Sequence, residues 1–116
     1  MVNSNVGGFV LAKEILSVFI YVKDLEKSKQ WYSEVLGLNF GGFDGNRTNQ
    51  LGVGLVLFEK ENFSPCSESL FVIQTSNLEE SYNKLKELRV EVSEINREIN
   101  CFNLKDLDGN VITVWQ

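Results

Sequence analysis

The strongest constraint on the fold is that the chain carries one pattern twice. Asp24-Leu25-Glu26-Lys27-Ser28 and Asn77-Leu78-Glu79-Glu80-Ser81 share a cap residue, an apolar position and a small position at an offset of 77 − 24 = 53 residues. Before the first copy, Ile15 to Val22 (ILSVFIYV) is a β-branched and aromatic run that reads as a buried strand, and before the second, Leu70 to Thr75 (LFVIQT) is its counterpart. After the first, Leu25 to Leu36 places Leu25, Ser28, Trp31, Tyr32, Val35 and Leu36 on one helical stripe. Leu78 to Leu88 does the same with Leu78, Ser81, Tyr82, Leu85 and Leu88. Asp24 and Asn77 are N-cap residues, Asn77 with Glu80 forming a capping box, and Gly37 supplies the left-handed residue that ends the first helix. Two copies predict a pseudo-twofold pair, because a solenoid needs about three repeats or more.

Each half continues in short strands. In the first, Leu51 to Glu59 (LGVGLVLFE) follows a Gly-, Asn- and Asp-rich turn at Gly41 to Asn46 and precedes a polar connection containing Pro65. In the second, Val90 to Ser93 is extended, Cys101 to Lys105 is a strand, Asp106-Leu107-Asp108-Gly109-Asn110 is a turn, and Val111 to Gln116 is the last strand. A chain of 116 residues fits one domain. The expectation is therefore a single α+β domain over residues 15–116, with module 1 at about 15–66, module 2 at about 67–116, and residues 1–14 an N-terminal extension or arm.

Composition removes several functions. Eleven basic against sixteen acidic residues give a net charge of −5, and no basic cluster is present to attract a phosphate backbone, so nucleic acid is not an expected partner. No apolar run approaches the roughly 18 residues that span a bilayer, and residues 1–14 lack the pattern of a secretory signal, so no membrane partner and a cytoplasmic location are expected. The chain has no histidine, and Cys66 and Cys101 have neither metal-ligand spacing nor a base nearby in sequence. The glycines lack the spacing of a phosphate-cradling loop. Ser17 and Ser69 have no recognisable base for covalent catalysis.

Three segments carry a family resemblance: Val22 to Ser28 with Trp31-Tyr32 and Leu36-Gly37-Leu38; the second helix entry at Asn77; and the closing Asp106-Leu107-Asp108-Gly109-Asn110-Val111-Ile112. From about Ile15 to Gln116 the chain resembles the glyoxalase/bleomycin-resistance/dioxygenase, or vicinal-oxygen-chelate, superfamily, with Leu107 where proline is usual. The resemblance implies two βαβββ modules whose strands form a curled mixed sheet with a concave cup, helices outside, and a homodimer in which a second subunit completes the cup. In metal-using members of the superfamily the ligand positions fall on Ser17, Leu57 (with Glu59 two residues on), Leu70 and Thr113 of this chain. A divalent cation must exchange its hydration shell for several N or O donors, which two leucines and two hydroxyls do not supply. No metal and no other cofactor is therefore expected, and the metal-dependent activities of the superfamily are not carried over.

Strand alternation gives the expected lining of the cup. Ser17, Phe19 and Tyr21 come from the first strand, and Leu55 and Leu57, with Val53, from the strand ending the first module. Leu70, Val72 and Gln74 come from the second module's first strand, and Thr113 and Trp115, with Val111, from its last; Phe102 joins them as an aromatic. Such a lining, apolar and aromatic with sparse hydrogen-bonding groups, suits a small-molecule pocket. The expected function is metal-independent binding of a small molecule, an antibiotic or another aromatic or cationic ligand. The alternative is a glyoxalase- or dioxygenase-like lyase, oxidoreductase or isomerase with a non-standard active site: either one built on a non-standard metal site, or a metal-free lyase or isomerase working through Tyr21 or Glu59.

Overall fold

The computed structural model describes Leu11, residues 14–41 and residues 45–116. The expected arm at 1–14 lies almost wholly outside these residues, as does the centre of the Gly- and Asn-rich turn. The elements are β1 (Ser17–Val22), α1 (Leu25–Leu36), β2 (Arg47–Thr48), β3 (Gly54–Glu59), β4 (Ser69–Gln74), α2 (Leu78–Glu87), β5 (Cys101–Lys105) and β6 (Val111–Trp115). They form two three-stranded mixed sheets, ordered β1-β3-β2 and β4-β6-β5. In each, the strand before the helix pairs parallel with the module's last strand, and that strand pairs antiparallel with the one before it. The architecture is the expected α+β pair of modules. The extended segment at Val90 to Ser93 contributes one isolated bridge, between Val92 and Leu104.

The repeat extends to side-chain chemistry at the helix starts, where backbone N–H groups have no partner within the helix. Asp24 Oδ1 accepts from Lys27 N at 3.1 Å, and Asn77 Oδ1 accepts from Glu80 N at 3.0 Å. Leu25 N donates to Glu59 Oε1 at 2.9 Å and Leu78 N donates to Gln116 Oε1 at 2.7 Å. The side chain at the end of each module's last strand thus holds the first turn of that module's helix, locking strand and helix together. Gly37 adopts φ 69° and donates to the carbonyl of Ser33, and Leu38 N donates to that of Tyr32, ending α1 as its sequence predicts.

The core lies on one side of both sheets. Ile20, Val22, Leu55 and Leu57 from the first module meet Phe102, Leu104, Ile112 and Val114 from the second, with Tyr32, Leu78 and Leu85 closing over them from the helices. The turn between β5 and β6 fastens the modules. Asp106 Oδ2 accepts from the Tyr32 hydroxyl at 2.6 Å and from Asn110 Nδ2 at 2.9 Å, while its Oδ1 accepts from the backbone of Asp108 and Asn110. Asn110 Nδ2 also donates to Tyr21 O, and Lys23 N donates to Asp108 Oδ2. The Asp-Leu-Asp-Gly-Asn motif thus ties the last hairpin to the junction of β1 and α1.

Candidate functional site

The strand ladders decide which side chains face away from the core. Ser17 pairs with Gly54, Phe19 with Val56 and Tyr21 with Phe58, and residues paired across a ladder share a face. On β1 the expected alternation is present: Ile20 and Val22 are buried, whereas Phe19 and Tyr21 are 59% and 46% exposed. On β3 it runs one residue away from the expectation. Leu55 and Leu57 belong to the core cluster between the modules, while the ladder puts Gly54, Val56 and Phe58 on the face of Phe19 and Tyr21, where Gly54 and Val56 are themselves buried and Phe58 is 49% exposed. A slip of one position moves every side chain to the other side of a sheet, and an all-apolar strand carries no internal mark of which set is which. Val53 precedes the strand, in the turn where Gly52 has φ 82°.

The open face of the first module is aromatic. Phe58 stands edge-on to both Phe19 and Tyr21, with ring centroids 6.1 and 6.2 Å apart, and Phe63 lies 6.1 Å from Tyr21. Arg47 belongs to the same face, since β2 pairs it with Val56. Its guanidinium crosses β3 above Gly54, where a Cβ would lie 2.8 Å from Arg47 Cζ. Nη2 reaches the Leu16 carbonyl at 3.1 Å and Nε the Asn49 Oδ1 at 3.2 Å.

The second module's open face is more polar. Val72 shares it with Thr113, and Gln74 with Trp115; Asn103 and Cys101 join them from β5. The Thr113 hydroxyl lies 2.8 Å from Ser69 Oγ and 2.7 Å from Asn103 Oδ1. Pairing of β4 with β6 shifts between Ser69 and Val72, which brings Ser69 to Thr113 and leaves Leu70 41% exposed. Phe102 departs from its expected place: it is 1% exposed, on the core side, with its ring 5.2 Å from Tyr82. Its neighbours on β5 face the other way because the strand alternates, and the aromatic signal alone could not choose between them.

The expected lining residues thus fall into two sets, Ser17, Phe19 and Tyr21 on one module and Val72, Gln74, Thr113 and Trp115 on the other. No hydrogen bond or aromatic contact among the described residues links these sets. Leu55, Val72 and Gln74 instead meet around a cavity of about 450 Å³ between the modules, beside Val18, Leu51 and Phe71.

The donor set does not fit a metal. Leu57 is sealed in the core, its counterpart on the open face is Val56, Leu70 is apolar, and the Thr113 hydroxyl is occupied by Ser69 and Asn103. Among the described residues no group of three or more His, Cys, Asp or Glu side chains is placed to hold an ion. Glu59, the carboxylate of the enzymatic alternative, accepts from Leu25 N and serves the helix start.

Comparison with known proteins agrees with this architecture. The model of the glyoxalase/bleomycin resistance protein/dioxygenase superfamily matches residues 14–114, and the chain belongs to that superfamily. No protein of curated function matches it by sequence. Among solved structures, an integron cassette protein from the mobile metagenome of the Halifax Harbour sewage outfall is 27% identical with a TM-score of 0.69, over 89% of this chain and 97% of that one. TnmS3, an antibiotic binding protein from Streptomyces sp. CB03234, is 23% identical with a TM-score of 0.72, over 93% of this chain and 98% of its own. A superfamily member from Sphaerobacter thermophilus is 21% identical with a TM-score of 0.72, over 92% and 98%.

Sequence reasoning missed Arg47, Phe58, Ser69 and Asn103. The repeat held the signal for one of them. Glu59 and Gln116 end the two modules at an offset of 116 − 59 = 57, which aligns Thr113 with Val56 and Trp115 with Phe58. Applied to β3, that offset selects the residues the ladder puts on the open face. Arg47 had no such signal, because β2 is two residues long and its pairing comes from tertiary contact.

Proposed function

We propose that the protein binds a small aromatic molecule on the open faces of its sheets, without a metal, and that two copies form a homodimer in which the face of one module closes over that of a partner module. One observation carries the reading: Phe19 and Tyr21 each stand edge-to-face to Phe58 while all three remain 46–59% exposed. Such rings gain most when a flat apolar partner removes them from water. The likeness to an antibiotic binding protein favours sequestration as the purpose of binding, and an antibiotic as one class of ligand.

The test is a thermal-shift screen of aromatic antibiotics and metabolites, run with and without a chelator. A saturable rise in Tm that the chelator leaves intact, and that Phe58→Ala removes, is the expected result. No shift across the screen, or a shift that depends on added divalent cation, would overturn the proposal.

A further inference from the structure

We infer that the ligand of the first module's open face is an aromatic anion, a planar ring carrying a carboxylate or similar group, and that Arg47 receives its charge. The inference rests on the reading of that face as an aromatic-ligand site and adds the ligand's charge. Arg47, Val56 and Phe19 lie in one row across the sheet, so the guanidinium and the exposed rings share a surface.

The guanidinium is held in place before any ligand arrives. Gly54 leaves the space above β3 that a side chain would fill, and bonds to Leu16 O and Asn49 Oδ1 hold the group flat across the strand. Those bonds use two of its five N–H donors, leaving three N–H donors without an acceptor among the described residues. A fixed, planar fork with free donors is the geometry that carboxylate recognition uses.

The electrostatics of the face point the same way despite the chain's net charge of −5. Of the residues that the ladders place on this side of β1, β2 and β3, none is acidic, and Arg47 takes part in no salt bridge among the described residues. At the other end of the aromatic row, Lys60 Nζ sits 4.7 Å from the Tyr21 ring centroid and Lys23 Nζ 6.0 Å from that of Phe63. A cationic ligand would meet like charge at both ends, whereas an anion meets a positioned donor at one and lysines at the other.

The experiment uses the full chain and three naphthalenes of one ring shape: 2-naphthoate, its neutral carboxamide and a naphthylmethylammonium, titrated by calorimetry at low ionic strength. Wild type is expected to bind the carboxylate about tenfold or more tightly than the amide, the scale of a charge-assisted hydrogen bond. Arg47→Gln should bring the two within about twofold by weakening only the carboxylate, and Gly54→Ala, which displaces the guanidinium with a Cβ, should do the same. Equal binding of acid and amide by wild type, preference for the ammonium, or an acid preference that survives both substitutions would overturn the inference while leaving the aromatic site in place. Failure of all three probes to bind would overturn both.

Discussion

Asp106 and Tyr32 show how a single side chain in this fold acquires its role. Burial first, and then the charge and the hydrogen bond of Asp106, push the Tyr32 phenol far above its ordinary range. The hydroxyl therefore keeps its proton and donates it to a carboxylate already served by Asn110 and Asp108. Tyr32→Phe should cost about 1.5–3 kcal/mol, the scale of a hydrogen bond to a charged group, measured by urea unfolding at neutral pH. The pH dependence has a definite sign: the unfolded chain releases this proton near pH 10 and the folded chain does not, so the folded state loses stability as pH rises above about 10. Tyr32→Phe should show a shallower loss over that range than wild type. Tyr32 is a stripe position of α1, as its spacing predicts, but its partner lies 74 residues away and nothing local announces the pair.

At the scale of elements, local chemistry decided most of what formed. Both N-caps, the Gly37 ending, and the strand preceding each helix lie where composition and periodicity put them, because each depends on residues within a few positions. Asp24→Ala and Asn77→Ala should each lower stability by about 1 kcal/mol, and the double variant should lose nearly the sum, since the caps serve different helices. Chemical denaturation of the three variants checks this, and a double variant no less stable than either single one would show that the helices are not independently capped. β3 differs, because its faces are not encoded locally. Gly54-Leu55-Val56-Leu57 is apolar or small at every position and buried throughout, so alternation has nothing to read, and the ladder to β1 alone assigns the faces.

For the whole molecule, the open faces set the problem that assembly must answer. Phe19, Tyr21, Phe58, Val72 and Trp115 are all 46% exposed or more, and among the described residues β1 and β4 each have a strand neighbour on only one side within their sheets. Exposed apolar surface and unpaired strand edges are features that soluble proteins usually cover. The proposed homodimer predicts a sedimentation mass near twice 13.2 kDa at micromolar concentration, with Val72→Lys shifting it toward the monomer. A monomeric mass at every concentration would leave the two faces apart and require each module to bind its ligand alone.

The two-module plan, the strand before each helix, the helices and their caps, and the residue types at the superfamily's metal positions are all legible in the sequence, whereas β2 is not. These are legible because they rest on short-range periodicity, on turn and cap residues, and on a repeat that shows the same solution twice. It took long-range packing to put Leu55 and Leu57 in the core between the modules and the equally buried Val56, with Phe58, on the opposite face, to pack Phe102 beneath α2's Tyr82, and to lay Arg47 across Gly54 toward β1. Each of these depends on the register between strands distant in the chain. Register is set by packing on the buried side, where the sequence offers several apolar choices of nearly equal merit.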